Sequence, residues 1–311
     1  MQMMGICQKD GIGITVQVIL KSKSLRQLAA SIQEVKVQSF QKEKIGEHFD
    51  LSPIQRLWFQ LPNQGKGHFN QSFFLQVTRP VSESYARRAI ESITERHPML
   101  RARFDDIGYG VWQQKVTNDI SGSYRFRRHN INEKEDATAA VAECQQSLNP
   151  FKGPLFGVEL FNLNDGRQLM FATGHHLVID LVSWRTILQD LEDLLEDPQA
   201  RLLPTTMPFS AWCRLQAEQA STLRLNEILP HTKIPTGNFT YWNIPYSENT
   251  YGNATSEGFE LDSTVTSQFL SVVQDNMKVD PIDVLLATLI YSWSKVFKDR
   301  ETPPVYNGMS S

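Results

Sequence analysis

Two adjacent histidines, His175 and His176, lie where an apolar run gives way to a helical pattern, in the stretch Gly174-His175-His176-Leu177-Val178-Ile179-Asp180-Leu181-Val182-Ser183-Trp184. An imidazole titrates close to neutrality and can take or give a proton there, which makes it the default general base of proteins. Neighbouring residues of an extended segment point to opposite sides, so one ring can face a given cavity and the other is left to brace the turn. Asp180 is placed to orient a ring or to pair with a nearby cation and fix the loop. A bare pair of histidines by itself fits two satisfied structural rings better than a catalytic site. A metal centre needs a third ligand; no Cys/His spacing near the pair supplies one, and no metal is expected.

The elements that must hold this turn are legible on both sides of it. Leu169 to Ala172 reads as a buried strand, and Trp184, Ile187, Leu188, Leu191, Leu194 and Leu195 share one face of a helix capped by Asp180 or Ser183 and closed by Pro198. Upstream, Pro53 opens a short helix with Ile54, Leu57 and Trp58 on one side, and His68 to Val77 reads as a strand. A helix spans Ser82 to Arg96, with a capping serine and Pro98 just past its end. Leu100, Ala102 and Phe104 alternate with Arg101 and Arg103, so a strand here buries the first three and turns both arginines to the other face, from which either could reach Asp180. Val111 to Val116 and Ser123 to Arg128 read as further strands, and Lys134 to Leu148 as a helix with Cys144 inward. Strands alternating with helices indicate an α/β lobe.

A second unit is expected after Pro204: a helix from Phe209 to Ala220, a polar loop region over 231–257, a strand over Gly258 to Leu261, and a helix from Ser263 to Asn276. Its last helix has Asp280 as cap and Pro281 at the first position. At the other end, Thr15 to Leu20 and Ser24 to Ile32 read as short amphipathic helices, followed by a polar, lysine-bearing linker over 33–47.

Bulk properties bound the possibilities. With 31 basic and 34 acidic residues among 311, the net charge is -3, and no basic excess points to nucleic acid or a membrane surface. Cys7, Cys144 and Cys213 are scattered and odd in number, as expected of reduced thiols in the cytosol. No apolar run approaches the ~20 residues a spanning helix needs, and Met1 to Gly13 carries no signal-peptide pattern. A soluble, cytoplasmic chain is expected.

The string His175 to Trp184 resembles the HHxxxDG motif of the condensation-domain superfamily of nonribosomal peptide synthetases. Leu181 in place of the usual glycine, followed by Ser183-Trp184, is similar to the epimerisation domains, fungal ones above all. Three more stretches resemble family motifs in family order: Ser52-Pro53-Ile54-Gln55-Arg56-Leu57-Trp58-Phe59, His68-Phe69-Asn70-Gln71-Ser72, and Arg96-His97-Pro98-Met99-Leu100-Arg101-Ala102-Arg103-Phe104. Together they cover 49–195. The resemblance implies a V-shaped pair of chloramphenicol-acetyltransferase-like lobes, the first over 48–204 and the second over 205–311. It also implies epimerisation, L to D, of an aminoacyl or peptidyl thioester carried on the 4'-phosphopantetheine of a carrier domain, with no metal and no organic cofactor bound directly.

In that reading His176 is a proton-transfer group, His175, Asp180, Ser183 and Trp184 shape the site, and Arg101, in preference to Arg103, pairs with Asp180 to lock the loop. Gly11 to Leu25 is similar to the tail of a peptidyl carrier domain, which assigns 1–32 to that domain's last helices; the expected partners are a loaded carrier domain and other synthetase domains. The family's glutamate-bearing EGHGRE-type motif would follow Asn307, where this sequence reads Gly308-Met309-Ser310-Ser311. The second lobe is therefore expected to be incomplete, and inversion, which needs a proton removed on one face and returned on the other, to be weak or absent in this chain. The alternatives are amide formation by a condensation domain, and a non-catalytic lobe that only docks a carrier.

Overall fold

The computed structural model describes residues 12, 22, 24–30, 43–60, 68–200, 202, 207–223, 243, 245, 248, 250–273, 278–300 and 302. They divide into two compact units, Met1–Leu223 and Arg224–Ser311.

In the first unit the described elements are α1 (Leu25–Ala30), β1 (Phe49–Asp50), α2 (Pro53–Gln60), β2 (Asn70–Val77), α3 (Glu83–Arg96), a 3-10 turn (Pro98–Arg101), β3 (Ala102–Asp106), β4 (Trp112–Val116), β5 (Tyr124–Ile131), a 3-10 turn (Lys134–Ala137), α4 (Thr138–Gln146), β6 (Phe156–Leu163), β7 (Gln168–His175), α5 (Leu181–Glu196) and α6 (Phe209–Thr222). Four strands form a mixed sheet in the order β2-β7-β6-β5, in which only β5 and β6 run parallel. A smaller antiparallel sheet has the order β1-β4-β3.

The period of two along β6 and β7 builds the core on both faces of the larger sheet. Val158, Leu160, Met170 and Ala172 meet Ala89, Ile90 and Ile93 of α3 and Trp184, Ile187 and Leu191 of α5. Phe161, Leu163, Leu169 and Phe171 join Cys144 of α4 on the opposite side. Strands covered on both faces read as continuous apolar runs, which is why Leu169 to Ala172 shows no alternation.

Several expectations are corrected. Both faces of the segment around Arg101 and Arg103 are covered, so each arginine is 7% exposed instead of facing outward. The helix expected over Lys134 to Leu148 splits into the 3-10 turn and α4. Helix α6 packs against β1 and buries Cys213, so the division into units falls after Leu223 instead of Pro204. The helix expected over Thr15 to Leu20 and most of 33–47 and 231–257 lie outside the described residues.

In the second unit, helices α7 (Ser263–Ser271) and α8 (Pro281–Val296) start where their caps dictate. Asp262 accepts from Val265 N at 2.8 Å and Asp280 from Ile282 N at 3.0 Å. Gly258 to Leu261 forms no strand: Phe259 is 88% exposed and its backbone has no ladder partner among the described residues.

Candidate active site

The turn after β7 is built by extending the β2–β7 ladder by one step. Asn70 pairs with His175 and Gln71 with Gly174, and His176 N then donates to Phe69 O at 2.7 Å. His175 N instead donates to Leu155 O, so the two histidines are pulled to different neighbours. Val178 N closes the turn on His175 O at 3.0 Å.

His175 points into the interior. Its ring is 2% exposed and sits edge-on to Trp58 at 5.7 Å and Phe69 at 6.3 Å. Nδ1 accepts from Leu177 N at 3.3 Å, which leaves the hydrogen on a buried Nε2 with no partner among the described residues. Burial, reinforced by His68 and His176, pulls this imidazole down to about 4, so it is neutral at physiological pH.

His176 is half-buried, with the tilted ring of Phe69 at 4.8 Å. Nδ1 lies 2.7 Å from Ile179 O, which accepts and can only be met by an N–H. The neutral ring therefore carries its lone pair on Nε2, where Gln71 Nε2 approaches to 3.2 Å and donates. A ring held in this tautomer can accept a proton at Nε2 without turning.

Asp180 is the N-cap of α5, accepting from Ser183 N at 2.7 Å and Ser183 Oγ at 2.6 Å. Trp184 is buried against Phe73 and Phe156 and, with Ile179, fills the space behind Gly174. A Cβ on Gly174 would lie 2.9 Å from Ile179 Cγ2 and 3.3 Å from Trp184 Cζ2. The histidine turn is thus set directly on the start of α5.

Arg101 does not pair with Asp180, and neither does Arg103. Arg101 donates to the carbonyls of Thr94 (3.0 Å), Glu95 (3.0 Å) and Thr117 (2.6 Å). The first two are among the carbonyls left open at the end of α3, so the guanidinium closes that helix and ties it to the segment after β4. Arg103 donates to Ala102 O, Gly122 O and Ser123 Oγ. The aspartate that partners the Arg-His motif is Asp190 of α5, 1% exposed, with Arg96 Nε at 3.0 Å and His97 Nε2 at 2.8 Å.

Two residues that hold the turn carry no role in the sequence reading. Gln55, 2% exposed, forms a capping box with Ser52, accepting from Ser52 N at 2.9 Å while Gln55 N approaches Ser52 Oγ at 3.4 Å. Its Nε2 donates to Leu177 O at 2.9 Å, and its carboxamide pairs with that of buried Gln114 on β4. This side chain hydrogen-bonds the smaller sheet to the histidine turn, and Leu177 of the turn joins the buried cluster of Ala102 and Phe104 on β3. Gln71 is the other. The Ser-x-x-Gln spacing signals the first; only the β2–β7 register reveals the second.

Among the described residues no group of three or more His, Cys, Asp or Glu could hold a metal ion, and no helix is long and apolar enough to cross a membrane. Cys144 is buried against Gly157, and burial raises its thiol far above the ordinary range. Burial first, then nearby Glu43, pushes the Cys213 thiol up to about 12.

This fold and turn have known counterparts. The chain is 41% identical over 307 residues to "Nonribosomal peptide synthetase 4" of Gibberella zeae, and 40% identical over 306 residues to "Nonribosomal peptide synthetase 1" of Aspergillus fumigatus. These alignments cover 98% and 97% of the chain but only 4% and 5% of those synthetases. Among solved structures, the epimerization domain from the third module of tyrocidine synthetase B superposes with a TM-score of 0.61 at 23% identity, covering 82% of this chain and 59% of that one. The mixed α/β architecture is that of the chloramphenicol-acetyltransferase-like lobes of such domains. The family model for the condensation domain matches residues 45–301, a span that takes in both sheets and the His175-His176 turn, and the chain belongs to the condensation-domain family of nonribosomal peptide synthetases.

Proposed function

We propose that this domain epimerises, L to D, the α-carbon of an aminoacyl or peptidyl thioester held on the phosphopantetheine arm of a carrier domain, with His176 as a proton-transfer group. The observation that carries the reading is the tautomer: Ile179 O takes the Nδ1–H, so the lone pair stands on Nε2 of a half-buried ring. His175, buried and neutral, supports the turn. In the proton-abstraction step the Cα–H bond breaks, the proton goes to Nε2 of His176, and the electron pair moves into the thioester carbonyl to give an enolate. A second acid or solvent then gives a proton to the opposite face of the α-carbon, the enolate electron pair forms the new C–H bond and restores the thioester carbonyl, and His176 releases its proton to solvent, which completes the inversion. The Leu181 and Ser183-Trp184 variant of the motif supports epimerisation over amide formation. The same reading assigns residues 1–32 to the end of a carrier domain, 33–47 to the linker that follows it, and the chain to the cytoplasm. The pantetheine arm belongs to the substrate and is not a resident cofactor.

The test is solvent exchange. The chain is incubated in D2O with a carrier loaded with an aminoacyl thioester, and deuterium at the α-carbon is read by mass spectrometry. Exchange that falls by about 10²- to 10⁴-fold in His176→Ala supports the reading. Amide formation with a second loaded carrier and no α-exchange shows a condensation domain instead. Carrier binding that survives His176→Ala, with neither reaction, shows a docking lobe.

A further inference from the structure

We propose that Gln71 is the positioning residue of the base at His176 and serves the ring in both of its protonation states. The inference rests on the reading of His176 as a proton-transfer group. In the resting state Gln71 Nε2 donates to the lone pair on His176 Nε2 at 3.2 Å, a long bond that a substrate can displace. The other end of the same carboxamide, Oε1, is buried and has no hydrogen-bond partner among the described residues. A buried acceptor without a donor is unusual in a native structure and points to a donor that arrives later.

The imidazolium supplies that donor. Once a proton has moved from substrate to His176 Nε2, with the electron pair of the broken bond left on the substrate, Nε2 becomes a donor and repels the Gln71 amide hydrogens. Turning the carboxamide over brings Oε1 to the same place, where it accepts a charge-assisted hydrogen bond. The ring and the backbone of its partner stay where they are: Nδ1 keeps Ile179 O, Phe69 packs at a tilt beside the ring, and the pairing of Gln71 with Gly174 fixes the strand beneath. Charge-assisted bonds are roughly twice as strong as neutral ones, so Gln71 can hold the ring at Nε2 after the proton has moved as well as before.

The titratable neighbours leave this assignment open to direct measurement. His175 is held neutral by burial, His68 lies beside Asn70, and Asp180 is engaged by Ser183. The experiment is a pH titration of the His176 ring by long-range 1H–15N NMR on the whole chain without substrate, the signal being assigned by its loss in His176→Gln. The expected wild-type result is a neutral ring protonated at Nδ1 and bare at Nε2. Gln71→Glu places a carboxylate beside Nε2 and raises the midpoint by about one to three pH units. A neutral ring protonated at Nε2, or a Gln71→Glu midpoint equal to wild type, overturns the proposal. Because no substrate is present, this outcome is independent of the exchange assay: Gln71 can act on the ring as described even if no α-exchange occurs, and exchange can occur with Gln71 idle.

Discussion

At the scale of single residues, the two histidines are separated by what their nitrogens meet. His175 has an ordinary value of 6.5 and is held at about 4 in the folded chain by burial. Between those values the unfolded chain binds more protons than the folded one, so stability is complete above about pH 6.5, declines as the pH falls towards 4, and changes no further from this source below that. A difference of this size corresponds to about 3 kcal/mol. His175→Gln, which can still accept from Leu177 N, is expected to flatten the pH dependence of the melting temperature across that window, as a thermal melt at each pH shows. Gln55→Leu is expected to cost about 1–3 kcal/mol in denaturant unfolding, because Leu177 O and Gln114 both lose buried partners. The histidine pair was visible in the sequence because its residue types advertise chemistry. Gln71 was not, since a glutamine at the start of a strand says nothing until the opposing residue is known.

At the scale of elements, the turn depends on how closely β7 and α5 approach. Gly174→Ala drives a methyl into Ile179 and Trp184 and is expected to cost about 1–3 kcal/mol, read as a lowered denaturation midpoint. Asp180 and Arg101 act on different helices, one opening α5 and the other closing α3. Asp180→Ala is expected to cost about 1 kcal/mol as a lost cap, and Arg101→Lys is destabilising because one ammonium cannot replace a guanidinium bound to three carbonyls. With no shared partner their effects add within about 0.5 kcal/mol in the double mutant; a larger coupling energy would restore the ion pair expected from sequence. That expectation failed for a physical reason. Alternation along Leu100 to Phe104 presumes one buried face, whereas this segment is covered on both sides, and a buried arginine turns to the nearest open carbonyls.

At the scale of the whole molecule, protection is expected to be uneven. Strands β6 and β7 are covered on both faces, while no described residue of α8 is buried. Hydrogen exchange should therefore be slowest at the amides of Phe156–Leu163 and Gln168–His175 and fast along Pro281–Val296; equal protection in the two regions would contradict the fold described. The sequence by itself determined the α/β class, the caps of α5 and α8, the two histidines and the family, because these rest on local periodicity, on side chains that bond within one turn, and on motifs read in order. Only the tertiary structure decided which histidine is buried, where Arg101 spends its hydrogen bonds, that α6 belongs with the first unit, and that Gln55 and Gln71 hold the turn. Each of those depends on strand register or on packing between segments distant in the chain, and neither is encoded in the spacing of residues along it.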